Sequence, residues 1–405
     1  MGRSCKIDGD PPALILGGGM TALGALRALA EKGRTCFVAA SDTFLVGDSR
    51  WYRPAPCSER FEESAATPDS IRQIDLDAAV LIPCSDSTAL AVARLNAQKP
   101  ANLYSCTNSE DTLLLFQDKR RFAKLLTKLD VPHPLTFVIG DESDFDLLDF
   151  TKISGVFLKP ADSQSFIAHY GVKAFWVDGK TAAVKQWRAA HEQGLETVLQ
   201  EYVAGDASDH YYIDGFVDSS GEVCGQFGRR RLRISPPDFG NSTLMVSIPL
   251  SEVRPAADSL AKVLEATKYR GIFSAEFKQD TTTGVFKVLE INTRAWWYVD
   301  FARRCGIDVC NMAYDDALGR PVEVVTNYAT GKRCVYPHRD YRAYREACKT
   351  TPTSFISWVR PWFGALQPIL RVTDPMPVIK ATLDLLRRTV GRCLYRMSRF
   401  RNNFR

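Results

Sequence analysis

The sequence predicts an α/β domain with a parallel sheet, followed by an α+β region with antiparallel sheets and by a helical, basic C-terminal extension. Three observations indicate this fold class. Short apolar runs alternate with helical patterns up to about residue 110, hairpin-like sets of strands follow, and basic residues dominate from residue 331 onward. Strands that alternate with helices build a parallel sheet covered on both faces, whereas strands joined by turns pair antiparallel.

The composition is that of an ordinary globular protein. Of the 405 residues, 45% are hydrophobic and 24% are charged, which excludes disordered, collagen-like and low-complexity classes. No run of 18 uncharged apolar residues occurs, so we expect no transmembrane helix. The 11 cysteines include no pair at zinc-binding spacing, and we therefore expect a reduced, cytoplasmic protein without a zinc site.

The N-terminal domain opens with a strand, a glycine turn and a helix. The apolar run Ala13–Leu16 precedes three glycines at 17–19, after which apolar residues recur at helical spacing. This arrangement fits the dinucleotide-binding fingerprint, with Asp42 near the place of a ribose-binding acid. Glycine-rich first turns also occur in α/β domains that bind no dinucleotide, so an NAD-dependent oxidoreductase is a rival interpretation.

Strand patterns dominate the next two hundred or so residues. A basic amphipathic helix is expected from Asp118 to about Leu129, where a proline turn stops it, and a second helix at about 256–267. The remaining apolar runs have the alternation of strands and fall at 156–159, 171–177, 197–202, 211–217, 222–227, 243–248, 271–278 and 284–292.

The last two of these strands carry acidic residues at matching positions. Glu276 and Glu290 are equidistant from position 283, so folding about the intervening turn sets them opposite one another, and Asn292 shares the face of Glu290. Adjacent carboxylates on a largely apolar sheet repel each other, and a hard cation such as Mg²⁺ removes that cost. Arg294 follows on the same side, where a guanidinium group can meet a phosphate. We therefore expect a metal and phosphate site, against the alternative of an exposed hairpin with solvated acids.

The segment Val288 to Arg294, with Glu276 upstream, resembles the magnesium-binding signature of the ATP-grasp superfamily. Further motifs of that superfamily are matched in the same order: Asp118-Lys119, Phe157-Leu158-Lys159-Pro160 and Leu199-Gln200-Glu201-Tyr202-Val203-Ala204-Gly205. The resemblance covers about residues 10–320 and is closest to carboxylate-amine ligases, including the D-aspartate ligase type, whose C-terminal regions have something like Asp374-Pro375-Met376-Pro377. It implies a Rossmann-like pre-ATP-grasp domain (1–110), a two-lobed ATP-grasp domain (111–325, with a lid lobe at about 151–203) and a C-terminal extension (326–405).

The same resemblance implies a role for each motif residue. Glu276, Glu290 and Asn292 would hold one or two Mg²⁺ ions, with Mn²⁺ as an alternative, that bridge the phosphates of ATP. Lys119 and Lys159 would contact those phosphates, and Arg294 would stabilise the transferring phosphoryl group. The hinge that reads adenine would be Glu201, Tyr202 and Val203. Asp209 would bind the ribose hydroxyls. Phosphoryl transfer depends mainly on positioning and charge neutralisation, which these residue types supply.

Two further features concern the lid and the acceptor site. Family members usually carry a glycine-rich loop after the second lysine, whereas residues 161–170 contain no glycine, so Ser163 and main-chain N–H groups would cap the phosphates. In the strand-like run after Gly228, alternation puts Arg229, Arg231 and Arg233 on one face. Guanidinium groups suit an anionic substrate, and we name Arg231 as an acceptor-site residue, against the alternative of a solvated edge strand.

The C-terminal extension is strongly basic. Residues 331–405 hold sixteen Lys or Arg and four Asp or Glu, a net charge of +12, while the whole chain carries only +5. From residue 379 onward apolar residues recur in alternating steps of four and three, which predicts a cationic amphipathic helix. Such a helix lies on an anionic membrane surface, pairs with another helix, as in a homodimer, or docks on its own protein. Trp358, Trp362 and Phe363 favour the membrane surface. No recognition module accompanies the charge, so we expect no nucleic-acid partner.

The predicted function is an ATP-dependent ligase that activates a small-molecule carboxylate as an acyl phosphate and joins it to an amine, releasing ADP and phosphate. A carboxylase or carbamoyl-phosphate enzyme would use the same nucleotide-binding residues and is the first alternative. An NAD-dependent oxidoreductase and a non-catalytic ATP-binding scaffold are the others. We expect the protein in the cytoplasm, with the inner face of the membrane as a peripheral site.

Overall fold

The computed structural model describes residues 9–150, 155–160, 174–237 and 240–387. The N-terminal domain is a parallel sheet of four strands in the order β2-β1-β3-β4. The strands are β1 (Ala13–Leu16), β2 (Cys36–Ala39), β3 (Ala79–Pro83) and β4 (Leu103–Tyr104). Its helices are α1 (Gly19–Ala30), α2 (Pro68–Arg72), α3 (Asp86–Ala97) and α4 (Glu110–Gln117).

A small antiparallel sheet follows the N-terminal domain in the sequence. Its order is β5-β8-β6-β7, with β5 (Thr136–Val138), β6 (Val156–Pro160), β7 (Phe175–Val177) and β8 (Thr197–Glu201). Helix α5 (Lys119–Lys128) precedes it and helix α6 (Gly179–His191) packs on it. Phe145, Leu158 and Trp187 are buried in the core between sheet and helix. This sheet and its helix therefore form a unit with its own core, and the unit begins with β5, before the expected start of the lid lobe at about 151.

A six-stranded sheet forms the floor of the site. Its order is β13-β12-β9-β10-β11-β14, and all its described pairings are antiparallel. The strands are β9 (His210–Val217), β10 (Val223–Ser235), β11 (Asn241–Ile248), β12 (Gly271–Gln279), β13 (Phe286–Asn292) and β14 (Arg333–Val335). Helices α7 (Arg254–Ala266), α8 (Val299–Cys305) and α9 (Val309–Ala317) complete this part of the chain.

Several boundaries differ from the sequence prediction, and two of these differences concern the hairpin and the C-terminal extension. The last strand of the hairpin begins at Phe286 instead of residue 284, because Gly284 has a φ of 75° and belongs to the turn. The C-terminal extension is not purely helical, since β14 adds an edge strand to the large sheet beside β11. The expected domain boundary at 325 therefore falls within a structure that the extension completes.

The extension is fastened to the rest of the protein by two buried aspartates. Asp374 is fully buried and accepts hydrogen bonds from Arg27 Nε at 2.9 Å and from Ser49 Oγ at 2.8 Å, which fixes the chain to α1. Arg27 is also fully buried. A buried ion pair of this kind is tolerated only when both partners are well hydrogen-bonded.

Asp340, in helix α10 (Pro337–Thr350), is the second fastening point. Its carboxylate accepts hydrogen bonds from Arg233 at 2.7 Å and from Thr243 at 2.6 Å. It also accepts from the indole N–H groups of Trp358 and Trp362, at 2.9 and 2.7 Å. The sequence interpretation of these two tryptophans as membrane-facing is therefore corrected, since both side chains are tied inward to a buried carboxylate.

The end of the described chain is helical. After α11 (Phe355–Val359), residues 376–387 form a helix whose Val378 and Ala381 pack against the main hydrophobic core. Over the residues that the structure describes, no helix is long and apolar enough to cross a membrane.

Candidate active site

A cavity of about 670 Å³ opens between the small sheet and the six-stranded sheet. Strands β6 and β8 supply one wall, and strands β9, β10, β12 and β13 supply the other. The expected site residues that line it are Lys119, Lys159, Glu201, Tyr202, Val203, Arg231, Glu276, Glu290, Asn292 and Arg294. Ser163 lies outside the described residues, and Asp209 is not part of the lining. Motifs that are up to 175 residues apart in the sequence are thus brought to one cavity.

The hairpin has the register that the sequence predicts. Glu276 of β12 pairs directly with Glu290 of β13, and Ser274 pairs with Asn292. A bulge follows Glu276, so that Phe277 pairs with Val288. Such bulges re-aim side chains and are frequent beside active sites. The two carboxylates therefore face the same cavity from adjacent strands.

The two carboxylates have different surroundings. Glu276 Oε1 accepts hydrogen bonds from His210 Nδ1 at 2.8 Å, Tyr212 Oη at 2.9 Å and Arg231 Nη2 at 3.1 Å. Burial by itself would raise the pKa of Glu276, but Arg231, His210 and Tyr212 hold that pKa far below its usual value. Glu290 is exposed to the cavity and accepts only from Asn292 Nδ2, at 3.2 Å, among the described residues. Glu276 is thus anchored, and Glu290 is open.

This donor set fits a magnesium ion. The three donors to Glu276 all approach Oε1, and Glu290 and Asn292 present further oxygens to the same space. Within the described ranges, no group of three His, Cys, Asp or Glu side chains forms a complete metal site. Mg²⁺ is commonly held by one or two carboxylates together with substrate phosphates, which is the arrangement that these residues allow.

The expected phosphate lysines stand at the other wall. Lys159 is on β6 and donates to Gln200 Oε1 at 2.9 Å. Lys119 begins α5, directly after Asp118, whose side chain caps that helix by accepting from the main-chain N–H of Arg120. The cap fixes where the helix starts, and with it the place of Lys119 at the cavity.

The expected hinge is held by side-chain and main-chain contacts. Glu201 accepts from Lys287 Nζ at 2.8 Å and from the main-chain N–H of Leu135 at 2.9 Å, so its carboxylate links β8 to the hairpin. The N–H of Tyr202 donates to the carbonyl of Gly155 at 2.9 Å. Val203 is buried at the cavity wall.

Asp209 departs from its expected place at the ribose hydroxyls. Its Oδ2 accepts from the main-chain N–H of Asp206 at 2.7 Å and closes a short turn before β9. Asp206 and Ala207 of that turn line the cavity instead. The sequence shows two acids three residues apart and does not say which one caps the turn.

Arg294 has a partner that the hairpin pattern did not indicate. Its Nε and Nη2 donate to the two carboxylate oxygens of Asp86, at 2.9 and 3.1 Å. Asp86 begins α3, so this bidentate pair joins the N-terminal domain to the cavity. Asp86 holds the pKa of Arg294 above its ordinary value against the opposing effect of burial. The guanidinium group therefore reaches the cavity with its orientation fixed.

His210 and Lys278 are among the cavity residues that the sequence did not indicate. His210 had no ligand spacing, yet it lies beside Glu276 because β9 pairs with β12. Lys278 is 3% exposed and lines the cavity, and burial lowers its pKa to about 8. A signal for Lys278 was present, since it stands two residues after Glu276 and therefore on the same strand face.

The glycine turn of the N-terminal domain is filled by a carboxylate. Glu63 Oε2 accepts from the main-chain N–H of Gly18 at 3.0 Å. A side-chain atom added at Gly17 would lie 3.0 Å from Glu63 Oε1. In a dinucleotide-binding domain the pyrophosphate lies at this helix N-terminus. Glu63 holds that position, which disfavours the oxidoreductase interpretation.

The chain is similar to a curated ligase and to solved structures of a carboxylase and a ligase. No family model matches the chain. A D-aspartate ligase from Enterococcus faecium (strain Aus0004) is 22% identical over 266 residues, which are 62% of this chain and 62% of that protein. The chain thus spans less than two thirds of the length of this curated relative.

The fold is shown by the similarity of the chain to solved structures. The biotin carboxylase domain of Hydrogenobacter thermophilus 2-oxoglutarate carboxylase, in complex with MgADP, ADP and bicarbonate, has a TM-score of 0.61 at 16% identity over 80% of this chain and 73% of that one. An L-amino acid ligase from Bacillus licheniformis has a TM-score of 0.56 at 14% identity over 80% and 79%. The chain has the ATP-grasp fold. The cavity described above lies between the small sheet and the six-stranded sheet.

Proposed function

We propose that the protein is an ATP-dependent carboxylate-amine ligase that releases ADP and phosphate. The observation that carries this proposal is the convergence of Glu276, Glu290 and Asn292 with Lys119 and Lys159 on one cavity. Oxygen ligands for Mg²⁺ and cations for phosphates are what the transfer of a phosphoryl group needs. The similarity to a D-aspartate ligase and to an L-amino acid ligase supports the ligase class.

The nucleotide would lie along the cavity between the hinge and the hairpin. Tyr202 and Val203 would receive the base, and Lys119 and Lys159 would neutralise the phosphates. We assign the ribose hydroxyls to Asp206, because it lines the cavity and Asp209 does not. One or two Mg²⁺ ions would bind with the nucleotide, with Mn²⁺ as an alternative. The MgADP complex of the carboxylase neighbour supports ATP and Mg²⁺ as ligands.

Glu276, Glu290 and Asn292 would hold the metal. When bound, Mg²⁺ neutralises phosphate charge and orients the phosphates. The other tasks at the site would fall to side chains of the protein. A carboxylate oxygen of the substrate attacks the γ-phosphorus and ADP leaves; the amine then attacks the acyl carbon, and phosphate leaves with that oxygen. Arg294, fixed by Asp86, would stabilise the charge on the transferring group, and Arg231 would face the acceptor site.

The experiment is ADP release by the purified protein with Mg-ATP, measured over paired carboxylates and amines, with the mass of the product determined. The ligase requires ADP release that depends on both substrates. The carboxylase alternative requires dependence on bicarbonate. Nucleotide binding without ADP release over the whole panel would support a non-catalytic scaffold and overturn the ligase.

We also propose that the C-terminal helix contacts an anionic membrane surface at the cytoplasmic face. Its apolar stripe points away from the protein: Met376, Ile379, Leu383 and Leu386 are 42%, 44%, 46% and 55% exposed. The opposite face is the one that docks, since Val378 and Ala381 pack against the main hydrophobic core. The stripe is thus unpartnered in the described part of the helix.

The positive charge at the end of the chain supports an anionic lipid surface as the partner of the stripe. Residues 387–405 contain seven arginines and no acidic residue. An apolar stripe beside a dense positive charge is typical of helices that lie in the interface of anionic membranes.

Vesicle binding tests this proposal. Leu383→Glu should weaken partitioning into phosphatidylglycerol-containing vesicles by about tenfold, since it removes an apolar contact and adds a repelled charge. Thr382→Glu adds the same charge one position off the stripe and should have a smaller effect. Equal effects of the two changes, or equal binding to neutral vesicles, would contradict the proposal. A dimer that Leu383→Glu dissociates, without vesicle binding, would assign the stripe to a second copy of the chain.

A further inference from the structure

Lys278 is a buried amine in the cavity wall for which the metal and phosphate roles above give no use. It is 3% exposed and lines the cavity from β12. Among the described residues, Nζ has neither a carboxylate nor a hydrogen-bond acceptor as partner, and it lies 4.1 Å from the ring centroid of Tyr202. A buried ammonium group without acceptors is unfavourable. A ligand that brings hydrogen-bond acceptors into the cavity would remove this unfavourable free energy.

Lys278 lies at the hinge end of the cavity. Two residues advance a strand by about 7 Å, so its Cα is about that far from the Cα of Glu276. Across the sheet Lys278 pairs with His210 and with Lys287, whereas Glu276 pairs with Glu290. The contact with the ring of Tyr202 places the amine beside the hinge.

Asp206, Asp209 and Asp280 attract this amine electrostatically, but among the described residues none of the three forms an ion pair or a hydrogen bond with Nζ. Asp209 Oδ2 accepts from the N–H of Asp206, and Asp280 lies 3.2 Å from Lys287 Nζ. Glu276 accepts its hydrogen bonds through Oε1 from three other side chains. A ligand is consequently the available source of acceptors for Lys278.

We propose that Lys278 is a nucleotide-binding residue that donates hydrogen bonds to the nucleoside part of the ligand, meaning ribose oxygens or ring nitrogens of the base. This rests on the proposed ATP site. It assigns the phosphates to Lys119 and Lys159 and gives Lys278 a separate task. The alternatives are a phosphate contact and a purely structural contact with Tyr202.

Calorimetric binding of three probes separates these possibilities: AMP, ADP and magnesium tripolyphosphate. Lys278→Met keeps the length and apolar stem of the side chain and removes the donor. We expect the Kd of AMP and of ADP to rise by the same factor, about tenfold, because a hydrogen bond from a charged donor is lost. The Kd of tripolyphosphate should stay unchanged. Lys262→Met, at an exposed position of α7, is the matched control and should change none of the three.

Two results would overturn the proposal. A loss that grows with the number of phosphates would make Lys278 a phosphate ligand, and unchanged Kd values would leave it a structural contact. If Lys278→Met does not fold, Lys278→Gln retains a neutral donor and should show a smaller loss, again confined to AMP and ADP. Failure of the wild-type protein to bind ADP would instead overturn the proposed function itself, so the two failures are distinguishable.

Discussion

Glu276 lies directly opposite Glu290 across the antiparallel pairing of β12 and β13, and the two carboxylates differ in what holds them. Glu276 is bound on one oxygen by an arginine, a histidine and a tyrosine. Glu290 is exposed to the cavity. Like charges so close are unfavourable, and the guanidinium group of Arg231 with the hydrogen bonds from His210 and Tyr212 holds the pKa of Glu276 far below its usual value against the effect of burial.

Glu290→Gln should abolish ligation while leaving the fold intact. The change removes the open carboxylate from the proposed metal site, and we expect kcat to fall at least about hundredfold. Because the side chain is exposed, the free energy of unfolding should change by less than about 0.5 kcal/mol. Steady-state ADP release and urea unfolding measure the two effects. Glu265→Gln, an exposed acid on α7, is the control. Retained activity in Glu290→Gln would argue against the metal site.

Glu276→Leu should cost both activity and stability. It leaves Arg231 without its carboxylate, and the loss of one partner of a buried pair costs about 3 kcal/mol. Urea unfolding of the two variants side by side measures the difference from Glu290→Gln. Equal stability of the two variants would contradict the anchoring role of the Arg231 contact.

Asp374→Ala should strongly destabilise the protein, because it leaves the fully buried guanidinium group of Arg27 uncompensated. The expected cost is about 3–5 kcal/mol in the free energy of unfolding. The double variant Arg27→Met with Asp374→Leu replaces the pair by apolar groups and should recover most of that loss. A double-mutant cycle in urea checks this, and simple additivity of the two changes would show that the two residues do not interact.

The protein should not bind NAD⁺ or NADH. Glu63 accepts from the Gly18 N–H and lies against Gly17, so a second anion at that turn would meet a carboxylate. Calorimetry with either dinucleotide should show no heat of binding at millimolar concentration. Micromolar binding would restore the oxidoreductase interpretation.

The sequence was sufficient for a parallel sheet followed by antiparallel sheets and for the register of the hairpin. The register followed from counting residues about the turn, which places Glu276 and Glu290 opposite each other without any long-range information. The strand β14 could not be predicted, because three residues of an edge strand carry too little pattern.

Side-chain partners that are distant in the sequence could not be predicted. The pairing of Arg294 with Asp86 joins residues 208 positions apart, and that of Arg27 with Asp374 joins residues 347 positions apart. No local pattern encodes such contacts. The same holds for the inward direction of Trp358 and Trp362, which depends on a buried Asp340. Local periodicity predicted the apolar stripe of the last helix, but only the structure shows that the stripe faces outward over the described residues 376–387.

The most direct test of the central claim follows one oxygen atom. The wild-type protein is incubated with Mg-ATP, an amine and a carboxylate substrate labelled with ¹⁸O, and the phosphate produced is analysed by mass spectrometry. Attack of the carboxylate on the γ-phosphorus predicts one ¹⁸O in each phosphate, formed in equal amount to ADP and to the amide. ADP release with unlabelled phosphate would mean that no acyl phosphate forms, and it would contradict the account.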